Sequence, residues 1–407
     1  MSEWKQISLG NLVESISKRH AFNKDRLIFL NTSDIFNGKV LNNEYTDINT
    51  LPGQAKKSIQ KNDILFSEIR PANRRFAYID FESEDYVVST KLMVLRPKNN
   101  DILPKYLYYF LTSEESLRHL QEVAESRSGT FPQITFSEVK EMVINLPPLK
   151  EQQRIVEVID SLTEKIELNL KINETLEEMA MTLYKHWFVD FGPFQDGEFV
   201  ESELGMIPKG WSICELEEIV EKINERVKAG EHLFSLPYVP IDVLNQKSLM
   251  INGYKHGSEA KSSLVKFYKG DILFGAMRPY FHKVCIAPFD GITRTTCFVL
   301  RPKNNDYYAF VVATIFREET IDYANSHSKG STIPYADWET LSKMKVILPP
   351  LQYLKEYNEK VVPLFKLMIQ NFLNNEELVK TRDYLLPRLL SGEIDVSKAE
   401  KQVEEVL

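Results

Sequence analysis

Cysteine is scarce: Cys214, Cys285 and Cys297 are the only three in 407 residues. They are odd in number and form no C-x-x-C pair, which argues against a disulfide framework and a structural zinc site and points to a reducing cytoplasm. Long apolar runs are also missing. No stretch approaches the roughly 18 apolar residues of a membrane helix. The start, Met-Ser-Glu-Trp-Lys-Gln, lacks the basic region and apolar run of a signal peptide, so none is expected. Nor is there an excess of basic charge: 50 Lys+Arg stand against 58 Asp+Glu, a net charge of −8. Nucleic-acid binding must therefore be argued from where the charge sits, not from its total. The seven histidines are scattered without metal-ligand spacing. No G-x-x-x-x-G-K-[ST] loop, G-x-G-x-x-G turn or Asn/Asp-Pro-Pro-Tyr-like methyltransferase motif occurs, and no Pro-Asp precedes a Glu-x-Lys as in a metal-dependent nuclease. The expectation is a recognition scaffold with no catalytic residue, no metal and no cofactor.

What the chain does have is an ordinary core-forming composition, 43% apolar and 27% charged, long enough for two or three domains. It also repeats itself. Trp4 to Ile16 returns as Trp211 to Ile223, and Lys61-Asn-Asp-Ile-Leu-Phe66 as Lys269-Gly-Asp-Ile-Leu-Phe274. Arg70-Pro71 returns as Arg278-Pro279, Val94-Leu-Arg-Pro-Lys-Asn-Asn-Asp101 as Val299 to Asp306, and Leu146-Pro-Pro-Leu149 as Leu348 to Leu351. The offsets run from 202 to 208, drifting as loop insertions would make them. A period that long means two copies of one module, not a solenoid.

Each copy opens with short apolar runs bounded by turn formers, such as Asp63–Phe66, Tyr86–Val88 and Leu92–Leu95, interrupted by helical stretches such as Pro104 to Val123. This pattern reads as a mixed α/β domain. After Leu-Pro-Pro-Leu a long helix is expected from about Lys150 to Phe188. Ile155, Leu162, Asn169, Leu176 and Leu183 fall seven apart on it, with Ile159, Ile166, Asn173, Ala180 and Trp187 on the adjoining face. That is a coiled-coil seam, in which a buried Asn169 fixes register. The second copy repeats the seam less regularly through Leu351, Asn358, Phe365, Phe372 and Val379, with Leu354, Val361 and Met368 three residues on from the first three and Pro363 expected to kink or restart the helix. Two such helices either cap their own domains or pair with each other, and their length favours pairing. The resulting fold class is α/β: two tandem mixed domains separated by long helices that pair as an antiparallel coiled coil with pseudo-twofold symmetry. The segments are 1–147 and 211–348 (domains), 148–190 and 349–395 (helical regions), 191–210 (connector) and 396–407 (tail).

The acid lies on the helices and connector. Residues 148–190 hold 5 basic and 9 acidic groups, whereas residues 1–147 balance 19 with 19 and residues 211–348 balance 17 with 16. Within the domains the bases cluster at matching places: Lys18, Arg19 and Arg26 with Arg226 and Lys228; Arg70, Arg74 and Arg75 with Arg278, His282 and Lys283; Arg127 with Lys329. A balanced domain with one basic face can still hold a phosphate backbone.

The motifs Ser128-Gly-Thr-Phe-Pro-Gln-Ile134, Leu146-Pro-Pro-Leu-Lys-Glu-Gln-Gln-Arg-Ile-Val156, Trp187-Phe-Val-Asp-Phe191, Ser202-Glu-Leu-Gly-Met-Ile-Pro-Lys-Gly-Trp211 and Arg382-Asp-Tyr-Leu-Leu-Pro-Arg-Leu-Leu-Ser-Gly-Glu393 closely resemble the specificity subunit of type I restriction-modification systems over nearly the full length. The resemblance implies two target recognition domains, each reading half of a split double-stranded DNA site. It also implies helical regions that dock two methyltransferase subunits, with motor/nuclease subunits joining that complex, and no membrane. A helix of about 38 residues rises roughly 57 Å, ample to hold two readers about one DNA turn, roughly 34 Å, apart. The expected DNA-binding residues are Lys18, Arg19, Arg70, Arg74, Arg75, Arg127, Ser128, Gly129, Arg226, Lys228, Arg278, His282, Lys283, Lys329, Gly330 and Ser331. The expected helix-pairing residues are Ile155, Leu162, Asn169, Leu176, Leu183, Phe365, Phe372 and Val379. The competing reading is a coiled-coil adaptor that organises protein partners without reading DNA.

Overall fold

The repeated words of the sequence turn out to be structural joints. The computed structural model describes residues 4–127, 129–330 and 332–407. The chain divides into two units, residues 1–165 with 378–407, and residues 166–377.

In the first unit, strand Lys5–Ser8 pairs antiparallel with Val143–Leu146, so the start of the domain is tied to the strand that leads into Pro147-Pro148. One antiparallel sheet has the order Val13–Ser15, Leu92–Pro97, Ile64–Ser67, Phe76–Tyr78. A second has the order Tyr45–Asp47, Arg26–Leu30, Tyr86–Ser89, Ala55–Ser58, its middle pair parallel. The run Ile64-Leu-Phe-Ser67 is buried throughout, which is why it reads as a continuous apolar run and not as an alternation.

The repeated aspartate of Lys-Asn/Gly-Asp-Ile-Leu-Phe sets the turn before that strand. Asp63 is buried, accepts the Gln60 N–H (2.8 Å) and receives a two-pronged pair from Arg96 (2.7 and 2.9 Å). In the second unit Asp271 accepts the Tyr268 N–H (2.8 Å) and the same two-pronged pair from Arg301 (2.7 and 2.8 Å). A buried carboxylate is tolerated because charge-assisted hydrogen bonds meet both of its oxygens. The second unit likewise ties Ser212–Glu215 to Lys345–Leu348 and repeats the antiparallel order Val220–Ile223, Cys297–Pro302, Ile272–Gly275, Val284–Ile286. Beside that sheet is a three-stranded one of Arg226–Val227, Leu264–Phe267 and Gly291–Arg294.

The long helices are Leu149–Tyr184, continued by a π turn Lys185–Val189, and Leu351–Ser391. Each begins by clamping its own domain with an amide side chain. Gln152 is fully buried, accepts the Leu103 N–H (2.8 Å) and donates to the Asp101 and Pro147 carbonyls (2.9 Å each). Asn358 accepts the Ala309 N–H (2.9 Å) and donates to the Asn305 carbonyl (3.1 Å).

Within the second unit the two helices pair antiparallel through a ladder of buried asparagines. Asn375 Oδ1 accepts from Asn169 Nδ2 (2.8 Å) and Asn173 Oδ1 accepts from Asn371 Nδ2 (2.8 Å). The remaining amides donate to the carbonyls of Ile166 (3.2 Å) and Met368 (3.1 Å). Leu176, Ala180, Tyr184, Trp187 and Phe188 share one core with Leu354, Tyr357, Val361, Phe365, Met368 and Phe372.

Three expectations need adjustment. The second helix runs unbroken through Pro363. Residue 359, whose carbonyl loses its partner there, is exposed, so water can replace the missing donor. Val379 is half-buried and Leu378 takes the interior position. The segment 396–407, read as a tail, contains the helix Val396–Glu404, which buries Val396, Ala399 and Val403. Arg154 of the first long helix grips it, bonding Glu400 twice (2.9 and 2.7 Å) and Ser397 (3.0 Å). Ile155 and Leu162 are fully buried, Asn169 and Leu176 are buried, and Leu183 packs half-buried on the core of the second unit.

Candidate nucleic-acid interface

Each domain carries its Arg-Pro loop in one frame. In the first, Glu68 N–H donates to the Lys91 carbonyl (3.3 Å), Ile134 N–H to the Glu68 carbonyl (2.9 Å) and Arg70 N–H to the Pro132 carbonyl (3.1 Å). In the second, Ala276 N–H donates to the Thr296 carbonyl (2.9 Å), Ala336 N–H to the Ala276 carbonyl (2.8 Å) and Arg278 N–H to the Pro334 carbonyl (2.7 Å). The loop is thus sewn between a strand turn on one side and the Phe-Pro-Gln-Ile or Ile-Pro-Tyr-Ala segment on the other.

The backbone turns out of this frame through left-handed conformations, φ +45° at Arg70 and +54° at Arg278, and again +54° at Arg74 and +49° at His282. Non-glycine residues hold such angles at a cost unless surrounding bonds fix them, and they concentrate at functional sites. Arg70 and Arg278 are exposed. Among the described residues neither guanidinium has a hydrogen-bond or ion-pair partner.

The other cations of these loops work as braces. Arg75 Nη1 donates to the carbonyls of Ser33 and Ile35 (3.1 Å each) and lies 5.3 Å over the Phe36 ring. Lys283 does the same job by donating to the Ile241 carbonyl (2.7 Å). Arg74 pairs with Glu114 at the start of the helix Glu114–Arg127. His282, its counterpart, is only 4% exposed. Its Nε2 lies 2.6 Å from the Phe316 carbonyl, and Nδ1 faces Glu318 at 3.4 Å. His282 therefore lies too deep to meet a ligand, contrary to its expected place on the surface. Arg75 and Lys283 spend their charge on the protein's own backbone.

Lys18 and Arg19 are exposed at the edge of the first domain, where the Lys18 carbonyl accepts the Ser58 N–H (2.9 Å). Arg127 pairs with Glu138. Gly129 is exposed with open space around it. Ser128 and Ser331 lie outside the described residues. In the second domain Arg226 and Lys228 are exposed, and Arg226 donates to Asn224 Oδ1 (3.1 Å). Lys329 exchanges two 2.9 Å backbone bonds with Tyr335 and pairs with Asp337 (2.9 Å), holding that carboxyl below the usual range. Gly330 sits at φ +91°, where a Cβ would come within 2.8 Å of the Ile333 carbonyl, so glycine is required.

Two cations escaped the sequence reading. Arg294 is exposed at the end of its strand, opposite Leu264 and one residue along from the level of Arg226. Lys222 lies 4.1 Å over the Phe298 ring. The signal for Arg294 was its place after a buried strand, Gly291-Ile-Thr, as Arg70 follows Ile64–Ser67. The described residues contain no group of three or more His, Cys, Asp or Glu able to hold a metal.

The family model for the type I restriction modification DNA specificity domain matches twice, over residues 1–178 and 208–374. The chain belongs to the type I restriction-modification DNA specificity family. As a specificity subunit it supplies DNA sequence recognition and not catalysis, and such subunits act with methyltransferase and restriction subunits. Among relatives, the specificity subunit of type I restriction enzyme HindI from Haemophilus influenzae is 32% identical, the alignment covering 97% of this chain and 100% of that one. The MjaIX specificity subunit from Methanocaldococcus jannaschii is 30% identical over 74% of this chain and 71% of its own. A solved type I restriction-modification S subunit from M. genitalium shares the fold, with a TM-score of 0.54 at 16% identity and 96% coverage of each chain. No helix among the described residues of this specificity subunit is long and apolar enough to cross a membrane. The family match spans both Arg-Pro loops and most of both long helices.

Proposed function

We propose that this specificity subunit reads an asymmetric, split duplex site in the cytoplasm, the domains 1–147 and 211–348 each taking one half. The helical regions 148–190 and 349–395 set the gap and dock two methyltransferase subunits, and motor/nuclease subunits join through that complex. The observation that carries the reading is the pair of uncommitted arginines, Arg70 and Arg278, on equivalent loops whose backbone is locked while every neighbouring cation is spent internally. An exposed, unpaired guanidinium on a fixed loop backbone suits a phosphate oxygen or the paired acceptors of guanine. With Arg70 and Arg278 go Lys18, Arg19, Arg226 and Lys228 as backbone contacts, the chemistry that makes binding salt-dependent. Arg74, Arg75, His282 and Lys283 support the loops in place of touching DNA.

The test is binding of the complex with methyltransferase subunits to duplexes of varied sequence at moderate salt. Binding should depend on sequence. Arg70→Ala or Arg278→Ala should each cost about 1–3 kcal/mol if the group reads a base, or lower the salt slope by about one if it holds a phosphate. Equal binding to all duplexes would overturn the proposal. The helical spacer is tested by matched seven-residue insertions in both long helices, which keep the seam in phase. Methylation-site sequencing should then find the same half-sites at a wider gap.

A further inference from the structure

The turn that follows Arg278 carries an exposed aromatic ring. Tyr280 lies two residues on, in the single turn Pro279–Phe281, and is 48% exposed between a buried Pro279 and a half-buried Phe281. Three elements hold this turn. At its start the Arg278 N–H donates to the Pro334 carbonyl (2.7 Å). At its end His282 Nε2 lies 2.6 Å from the Phe316 carbonyl, and the His282 carbonyl accepts the Lys247 N–H (2.8 Å). Lys247 Nζ in turn pairs with Glu318 (2.8 Å). Lys247 is itself left-handed, at φ +52°, like Arg278 and His282. Three such residues in one joint persist only where their surroundings over-determine them, and strain of this kind gathers at functional sites. The Phe281 ring stands beside the Tyr280 ring, centroids 4.7 Å apart, so the side chain is backed as well as the chain.

The fold does not require that ring. The first domain builds the same turn with Ala72 in its place. There the Asn73 N–H donates to the Arg70 carbonyl (2.8 Å) and the Arg74 N–H to the Pro71 carbonyl (3.0 Å). In the second domain Phe281 bonds Arg278 (3.0 Å) and His282 bonds Pro279 (2.8 Å) in the same way. The Asn37 N–H on the Arg74 carbonyl (2.8 Å) matches Lys247 on His282, and Asn37 is left-handed too. One copy is thus a control for the other: alanine suffices for the turn. A lone surface tyrosine is ordinary. A tyrosine on a fixed turn, two residues from an unpaired arginine and dispensable to the turn, is placed for an outside contact. Such rings add much apolar area at interfaces. The apolar group that a DNA major groove offers is the thymine methyl. Contact with it distinguishes one base from another, unlike a phosphate contact.

We propose that Tyr280 is a specificity-determining residue of the second domain, its ring packing on a thymine methyl in the half-site that this domain reads. The first domain, with Ala72 at the equivalent place, lacks the contact. The inference rests on the DNA-recognition reading above.

The experiment uses the full chain with its methyltransferase subunits, a plasmid library randomised in both half-sites, and sequencing of the methylated bases. Tyr280→Ala should lower discrimination about ten-fold at one A·T position of one half-site and leave the other half-site unchanged. Tyr280→Phe, which keeps the ring, should retain the unaltered pattern. Uracil in place of that thymine removes only the methyl. In a synthetic duplex it should weaken binding of the unaltered complex and leave binding of the Tyr280→Ala complex the same. The untouched half-site reports that the variant is folded and assembled. An unchanged pattern overturns the proposal, as do a change confined to a G·C position and equal sensitivity of both complexes to uracil. A uniform loss of methylation across all sequences also overturns it, since that marks a phosphate-holding or structural role. If the unaltered protein directs methylation without sequence preference, the recognition reading itself fails.

Discussion

Replacing Asn371 by alanine should destabilise the helix pair far more than its size suggests. Asn371 and Asn173 are each 7% exposed, and Asn173 Oδ1 accepts from Asn371 Nδ2. Removing that donor leaves a buried oxygen without its partner, at a cost of about 1–3 kcal/mol, the desolvation of one unsatisfied polar group. Removing both polar groups is different. Asn173→Leu with Asn371→Leu fills the same space with apolar atoms and orphans nothing on the two side chains, so the double variant should be near neutral or more stable. The Met368 carbonyl, which loses its bond from Asn173, retains helical partners. The single costs should therefore exceed the double cost by roughly 2 kcal/mol, a coupling of the size expected for touching groups. Chemical unfolding followed by tryptophan fluorescence suits the measurement, because Trp187, Trp211 and Trp338 all lie in the same unit as the ladder. Asn374→Ala, exposed on the same helix, is the control and should stay within about 0.5 kcal/mol. Equal effects of Asn371→Ala and Asn374→Ala, or strict additivity of the leucine substitutions, would refute the argument.

Asp63→Asn should cost about 3 kcal/mol, the lower end for a broken buried pair because Arg96 keeps 26% of its side chain exposed; Asp271→Asn should behave alike in the second domain, both read from denaturation midpoints. Burial pushes the Glu177 carboxyl up despite bonds from the Leu249 N–H (2.7 Å) and Ser248 Oγ (3.2 Å). A raised folded-state value means stability that is present below the ordinary glutamate range and lost as pH rises through the folded value, so Glu177→Gln should raise the melting temperature near neutral pH and change it little in acid. Gly392 sits at φ +78° with the Trp4 ring 3.4 Å from where a Cβ would lie, so Gly392→Ala should cost about 1–2 kcal/mol in thermal unfolding.

The repeat and the seam were legible because both are written in spacing. The Lys-Asn/Gly-Asp-Ile-Leu-Phe and Leu-Arg-Pro words recur because Asp63 and Arg96, and Asp271 and Arg301, find each other across neighbouring strands. Asn169 stood out as the polar residue of an apolar stripe. Its partner Asn375, and Asn371 beyond it, did not, because the line Leu354, Val361, Met368 stops one heptad short of Asn375. Carried on, that line reaches the buried Asn375, one residue every seven, beside the also buried Phe365 and Phe372. The mirrored i, i+4 pairs of asparagine were the available clue. The helix Val396–Glu404 was also written in the sequence, with Asp395 capping the Ser397 N–H (2.8 Å) and apolar residues at 396, 399 and 403. What composition could not show was the direction of a cation. Arg70 and Arg75 look alike in a string, yet one faces solvent and the other binds two carbonyls, because that choice depends on where residues 33–36 return.

The two copies make the division of labour visible. Groups that hold the frame recur in kind: an aspartate–arginine pair under the strand, a cation bonded to a loop carbonyl, an amide at the head of the long helix, and a proline carbonyl on the arginine N–H. Of the groups that leave the frame, the arginines Arg70 and Arg278 stay while others change: Ala72 becomes Tyr280, which is 48% exposed, and Phe131 becomes Ile333. A structural demand that acts equally on both copies explains the first set and not the second. A partner that presents the same chemistry twice would favour matching surfaces as well as matching frames. Two frames alike inside, with a shared exposed arginine and otherwise differing outward residues, fit a target whose halves share a sugar-phosphate backbone and differ in their bases.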